Sequence, residues 1–306
     1  MSEVIIGMDL GGTNLRIGSV TSNNQVEYPK VVNSQIIAKA ENPLEKLGEI
    51  IKKYVEKNKL AEIKAISIGV PSSVDADHET VICTTNIRNS RDEAIFQHTN
   101  IAVFLREMFQ VPVFINNDTN NILLYDVYAH NLEKQSVIIG IYIGTGVGVS
   151  VLIDGKNFNG TNGAALDIGH IPFYTGDAIC SCGKRGCCEC YASGWRLQQI
   201  REDFYPKADI RELFTLHKNE ETLKEFIYSC AHICAIMATV FNPATMIVGG
   251  GVIEMQDFPK EEFEKQINQN TGRDVMSYGF QYVYSEPFAG KGVIGAAIFA
   301  KQMIKK

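Results

Sequence analysis

The sequence predicts an α/β protein built from two related halves. Three observations carry this: apolar strands alternate with amphipathic helices, each half opens on a hairpin with glycines at its bend, and 306 residues suit two domains at roughly 150 residues each. Val4–Met8 reads as a buried strand leading into a glycine-rich turn. Leu15–Val20 then runs through Asn23-Asn24 to a third strand near Val26–Val32, an antiparallel meander rather than a strand followed by a helix. Pro43–Lys59 has helical spacing, and Ala65–Val70 is a short apolar strand stopped by Pro71. Helix Ile101–Phe109 leads to the strand Val111–Ile115, with a further helix over Asn120–Ala129. The later half has paired strands Ser136–Tyr142 and Gly146–Ile153, and helices near Trp195–Asp203, Glu221–Phe241 and Lys260–Asn268. The strand Met246–Val248 and a closing helix Gly295–Lys305 complete it. The expected division is a small α/β domain of residues 1–118 with 293–306, and a large α/β domain of residues 119–292 carrying a metal-binding segment.

Composition narrows the function classes. Apolar residues are 45% and charged residues 21%, the balance of a soluble globular enzyme. A net charge of −6 and a pI near 5.6 give no attraction to phosphate backbones, so no nucleic-acid partner is expected. The basic stretch Lys52–Lys59 is broken by Glu56 and reads as a solvated helix face. No apolar run approaches the ~20 residues that cross a bilayer, so no membrane association is expected. The start Met1-Ser2-Glu3 lacks a basic, cleavable leader, and a cytoplasmic location is the expectation. Of eight cysteines, five fall between Cys180 and Cys190, clustering that favours metal binding over disulfides.

Two glycine-rich bends could cradle phosphate. In Asp9-Leu10-Gly11-Gly12-Thr13-Asn14, adjacent glycines let backbone N–H groups approach an anion, Thr13 adds a hydroxyl, and Asp9 could hold a hydrated Mg²⁺. A plain hairpin turn is the alternative, although it would need neither Asp nor Thr. Gly144-Thr145-Gly146-Val147-Gly148 repeats this chemistry in the second half, and the pair suits a triphosphate. Gly249-Gly250-Gly251 follows a strand and could lie flat against a ring or phosphate, or be a crowded turn.

His170 followed by Cys180-Ser181-Cys182-Gly183-Lys184-Arg185-Gly186-Cys187 supplies four soft ligands for a tetrahedral, structural zinc. Cys188 and Cys190 are spare thiols, and Cys83, Cys230 and Cys234 are read as packing residues. Asn116-Asn117-Asp118 directly follows a buried strand, where α/β sheets gather their ligands. Asp118 could accept the proton of an attacking hydroxyl in phosphoryl transfer, or it could cap the helix that follows. Asp167, His170 and Glu189 flank the cysteines and offer acceptors to sugar hydroxyls, unless they are ordinary surface residues.

Taken together, Asp9–Arg16, Gly69-Val70-Pro71, Asn117-Asp118, Gly144–Gly148, Gly163–His170 and Cys180-x-Cys182-x-x-x-x-Cys187-x-Glu189 resemble the ROK (repressor, open reading frame, kinase) sugar kinases of the actin-like ATPase superfamily. The resemblance spans nearly the whole chain. It implies the two-domain actin-like (ribonuclease H-like) fold with the active site in the interdomain cleft. ATP would be held by Asp9, Gly11, Gly12, Thr13, Asn14, Gly144, Thr145, Gly146, Gly249, Gly250 and Gly251, with Mg²⁺ near Asp9. Asp118 would be the base, zinc would sit on His170, Cys180, Cys182 and Cys187, and the sugar on Asn117, Asp118, Asp167, His170 and Glu189, with Asn86 a further contact. A homodimer is expected.

Two departures bear on the sugar: Leu166-Asp167 stands where the family usually has Gly-Glu, and Ile122–Val127 replaces its usual small-residue helix. Tyr125-Asp126-Val127, Gly169–Pro172 and Gly249–Phe263 resemble the D-allose kinases of the family, which implies phosphorylation of the 6-hydroxyl of allose. Glucokinase, fructokinase and N-acetylmannosamine kinase activities are alternatives, as is a sugar-binding protein that has lost catalysis. A sugar-responsive regulator is not expected, because only eight residues precede Asp9.

Overall fold

A computed structural model describes residues 3–84, 87–173 and 176–305. The chain forms two compact units: Met1–Asn131 with Asn159–Ala165 and Phe288–Lys306, and Leu132–Phe158 with Leu166–Pro287.

In the first unit, β1 (Val4–Leu10) and β2 (Asn14–Val20) form the expected hairpin, with β3 (Val26–Asn33) on its edge. Asn33 leads to the short α1 (Gln35–Ala38) and then to α2 (Pro43–Asn58). Helix α2 starts where its sequence says: Asn42 Oδ1 accepts from the Leu44 and Glu45 N–H groups at 3.2 and 3.3 Å, and Pro43 occupies the first position. Its Leu47, Ile51 and Tyr54 are fully buried, and each such aliphatic residue stabilises by roughly 1.5–3 kcal/mol. β4 (Ile63–Val70) pairs parallel with β1. A small second sheet follows, β5 (Ser72–Val74), β6 (Thr80–Thr84) and β7 (Thr99–Asn100), and then α3 (Ile101–Phe109). β8 (Val113–Asn117) completes the main sheet, order β3-β2-β1-β4-β8, and runs into α4 (Asp118–Ala129).

The C-terminal helix, Lys291–Ile304, packs Val293, Ala297 and Ala300 against Ile5, Val20 and Ala65 of this sheet. It also lies along α4 so closely that a Cβ on Gly295 would sit 1.8 Å from the Asn121 carbonyl oxygen. This contact is why the division falls after Asn131 rather than after Asp118: α4 is fixed to the first unit by the chain's own end. The segment Asn159–Ala165 belongs there too, with Asn159 accepting from Asn120 Nδ2 at 2.9 Å.

The second unit repeats the pattern. β9 (Val137–Ile143) and β10 (Val147–Ile153) form a hairpin, β11 (Lys156–Asn157) lies on its edge, and β12 (Thr245–Gly249) and β13 (Gln281–Tyr284) add in parallel, order β11-β10-β9-β12-β13. Its helices are α5 (Gly194–Phe204), α6 (Leu213–His217), α7 (Glu221–Phe241), α8 (Lys260–Asn270) and α9 (Arg273–Tyr278). Among the described residues, α7 is long and apolar enough to span a bilayer, contrary to the expectation that no run comes near that length. Its Leu223, Phe226, Ile227, Cys230, Ile233 and Cys234 are buried in the core of this unit with Ile139, Ile141 and Val248, so its hydropathy serves packing.

Candidate functional site

In the first unit, the parallel strands β1, β4 and β8 bring Asp9, Gly69 and Asn116 into one row at their carboxyl ends, with Asp118 just beyond. Asp9 faces Arg16 across the hairpin at 3.5 Å. Burial raises the Asp9 carboxyl above the usual carboxylate range, and the Arg16 guanidinium opposes that rise. Gly292 makes room for it, since a Cβ there would meet the Asp9 carboxyl carbon at 2.6 Å.

The capping alternative at Asp118 is taken by its neighbour. Asn117, with extended backbone, is the N-cap of α4: its Oδ1 accepts from the Thr119 and Asn120 N–H groups at 3.0 and 3.3 Å, and its Nδ2 donates to the Ser72 carbonyl at 3.3 Å. Asp118 is thereby released from capping. Its Oδ1 accepts from the Thr119 N–H at 2.7 Å and hydroxyl at 3.2 Å, and the residue as a whole is half-buried. Burial, then the charge of Asp9, push its carboxyl up to about 7. A carboxylate with that affinity for a proton is suited to general-base work near neutrality.

The sequence reading missed what braces this corner. Asn116 Nδ2 donates to Asn121 Oδ1 at 2.8 Å, and Asn120 Nδ2 donates to Asn116 Oδ1 at 3.3 Å, all three residues buried. A run of asparagines at a strand–helix junction was the available signal.

The glycines sort into those the fold requires and those it does not. Gly250 has φ +91° and a Cβ there would sit 2.6 Å from the Ile143 carbonyl oxygen; a Cβ on Gly249 would meet Ser285 at 2.6 Å. These two form the crowded turn. Gly144 and Gly251 have nothing within 4 Å of an added Cβ and no positive φ, and Gly11 has only the Asn14 carbonyl oxygen at 3.4 Å. Open space above a glycine that its own backbone does not demand is what close approach of a ligand would require. Gly144→Ala and Gly251→Ala are therefore expected to weaken ADP binding with little change in melting temperature, whereas Gly250→Ala lowers stability by about 1–2 kcal/mol. Calorimetric titration beside thermal unfolding separates the two outcomes.

Within the second unit, the metal-ligating atoms of His170, Cys180, Cys182 and Cys187 all lie within 4.8 Å of one another. Cys180 Sγ is 3.4 Å from His170 Nδ1, and the Cys182 and Cys187 sulfurs are 3.6 Å apart. Zinc–sulfur bonds of ~2.3 Å in a tetrahedron set sulfurs ~3.8 Å apart, so these residues fit that ion. Burial and neighbouring thiols push Cys187 up to about 12, a repulsion that a divalent cation would relieve. The spare thiols Cys188 and Cys190 are buried, which raises them to about 12 and about 11.

The other predicted contacts in this unit differ in setting. Glu189 Oε2 accepts from the Val147 N–H at 3.1 Å, within the second glycine bend. Asp167 is largely exposed, 4.0 Å from His170 Nε2, and Leu166 before it has φ +68°, a strained conformation for a branched residue. Thr13 is exposed and Asn14 accepts from the Gly11 N–H at 2.9 Å. Asn86 lies outside the described residues.

Comparison with known proteins settles the family. The ROK family model matches residues 5–303. The chain belongs to the ROK family. It is 27% identical over 288 residues to the xylose repressor of Caldicellulosiruptor bescii, covering 87% of this chain and 70% of the repressor. It is 24% identical to the glucokinase of Thermotoga maritima over 98% of both chains. The fold matches that of a ROK family glucokinase from Streptomyces griseus in complex with glucose and AMPPNP, with a TM-score of 0.76, 23% identity and coverage of 98% and 99%. The two-domain α/β, actin-like fold expected from the sequence is thus the fold of this ROK protein.

Proposed function

We propose that this ROK protein is an ATP-dependent hexose kinase that phosphorylates the 6-hydroxyl of D-allose. The observation that carries the reading is Asp118: freed from capping by Asn117, half-buried, and raised to about 7. Its carboxylate takes the hydroxyl proton as that oxygen bonds to the γ-phosphorus and the bond to the bridging oxygen breaks, leaving ADP. Asp9 would hold hydrated Mg²⁺, which supplies charge neutralisation at the phosphates when bound. Gly11, Gly144 and Gly251 offer unobstructed backbone to the nucleotide. Asn117, Glu189, His170 and Asp167 are the proposed sugar contacts. Zinc on His170, Cys180, Cys182 and Cys187 would order the segment carrying three of them.

The glucokinase of Thermotoga maritima supports hexose phosphorylation in general. Allose rests on the stretches Tyr125–Val127, Gly169–Pro172 and Gly249–Phe263. A coupled ADP-release assay across aldohexoses, ketohexoses and N-acetylhexosamines is expected to give the highest kcat/KM with D-allose. A higher value for glucose or an N-acetylhexosamine would reassign the sugar, and no release with any would remove the kinase reading. The xylose repressor relative supports a second reading, a sugar-responsive regulator. Salt-sensitive, sequence-specific retardation of DNA would favour it, against the net charge of −6.

A further inference from the structure

The second glycine bend closes the β9–β10 hairpin, with Val147 and Gly148 in register with Ile143 and Tyr142. Its internal bond runs from the Gly144 N–H to the Gly146 carbonyl at 2.9 Å. Beyond that pairing it is touched by the start of α5, where the Trp195 N–H donates to the Thr145 carbonyl at 3.2 Å, and by the chain around the four metal-ligating residues. Glu189 sits on the single 3₁₀ turn Cys188–Cys190 that Cys187 begins, and its Oε2 accepts from the Val147 N–H at 3.1 Å. The carboxylate fills the space beside Gly146 so tightly that a Cβ there would be 2.2 Å from Oε2. From the other side, Gly169 precedes the ligand His170 and would bring a Cβ within 3.2 Å of the Val147 carbonyl oxygen and 3.6 Å of Glu189 Cβ. The Gly194 N–H, a few residues past the cysteines, donates to the Gly144 carbonyl at 2.7 Å.

We propose that Glu189 is a positioning residue for the nucleotide as well as a sugar contact: it transmits metal occupancy at His170, Cys180, Cys182 and Cys187 to the Gly144–Gly148 bend, so that metal and nucleotide bind cooperatively. This rests on the reading of that bend as a phosphate cradle. With the metal in place, Cys187 and His170 are fixed, Glu189 and Gly169 hold the bend from two sides, and its amides are preorganised. Without it, the nucleotide must order the bend as it binds, and its affinity falls. Coupling of this kind is reciprocal: whatever the metal gives the nucleotide, the nucleotide gives the metal.

The test uses the full chain, with one zinc per chain or stripped by chelator, and calorimetric titration of ADP with no sugar present. Stripping is expected to raise the ADP dissociation constant about tenfold, within the usual range of such couplings. Glu189→Ala is expected to bind ADP weakly whether or not metal is present. Glu189→Gln keeps a carbonyl acceptor for the Val147 N–H and is expected to retain most of the metal dependence, an outcome a merely acidic role would not give. Gly146→Ala touches none of the four metal-ligating residues, yet its Cβ displaces Glu189 and is expected to weaken zinc about tenfold in chelator competition. Equal ADP affinity for loaded and stripped protein with unchanged circular dichroism overturns the coupling and leaves the phosphate cradle standing. Full metal dependence in Glu189→Ala removes Glu189 from it. No ADP binding by loaded protein removes the cradle itself, and the coupling with it.

Discussion

Replacing Asp118 by Asn is expected to leave sugar binding intact and to lower turnover by about 10²-fold or more, the usual cost of a lost general base. The amide keeps the shape and can still accept from the Thr119 N–H, but it cannot take a proton. On the proposed mechanism only the ionised carboxylate serves, and burial with the Asp9 charge sets its midpoint at about 7. So kcat/KM is expected to rise about tenfold per pH unit below 7 and to level off above it, with the acid limb absent from the residual activity of Asp118→Asn. Stability moves the other way. The unfolded chain ionises this carboxyl near pH ~4, the folded one at about 7. Folding therefore takes up a proton between those values, and the native state loses stability as pH rises through that window. Above pH 7 the loss is complete, and below ~4 it is absent. Asp118→Asn is expected to gain about 1–2 kcal/mol at pH 8 and nothing at pH 4, the full linkage value being reduced because the residue is only half-buried. Thermal unfolding at both pH values checks this. Near-native turnover, or a stability gain that ignores pH, would contradict the assignment of the base.

How much of this was legible beforehand depended on the range of the physics. Periodicity is local, so the β1–β2 and β9–β10 hairpins, α2, α3 and α7 were placed within a few residues of their observed ends. The β5–β6–β7 sheet was not seen, because strands of three, five and two residues carry no readable alternation. Asn117 and Asp118 are both good N-caps, and only the backbone bend decides between them. The raised Asp118 depends first on burial and then on Asp9, remote in sequence and brought near by parallel pairing through β4. The boundary after Asn131 depends on a helix at the far end of the chain lying against Asn121. That the four candidate metal ligands come together was the easy part: three of four lie within eight residues, a spacing that local geometry alone can close.

Removing the metal is the second large effect expected, and its size follows from how little else holds the segment. Among the described residues between Ile171 and Cys190, Cys180, Cys187 and Cys190 form a small buried cluster with Ala178 and Tyr191, Cys188 and Phe173 reach the main core of the unit, and Ile171 and Ile179 are exposed. Such a cluster buries too little apolar surface to order a loop by itself. Its backbone bonds, Gly183 N–H to Cys180 at 2.9 Å, Cys180 N–H to Lys184 at 2.9 Å and Gly186 N–H to Ala178 at 2.8 Å, close short turns around the ligands. Four-ligand zinc sites are worth about 10–16 kcal/mol, so losing one thiolate by Cys182→Ser is expected to cost ~3 kcal/mol, about 10²-fold in metal affinity. Of this segment, Cys188 and Phe173 pack on the core around α7 while the turn residues Cys180, Gly183 and Gly186 do not, so that core should stay closed. Chelation is therefore expected to speed hydrogen exchange at the Cys180, Gly183 and Gly186 amides by orders of magnitude, leave the α7 amides unchanged, and raise KM for the sugar through displaced His170 and Glu189. Protein purified without chelator should carry one zinc per chain. Exchange at the three turn amides that is indifferent to chelator would mean the thiols order this segment without an ion, and the fit of the four ligands to a tetrahedron would then be a matter of packing.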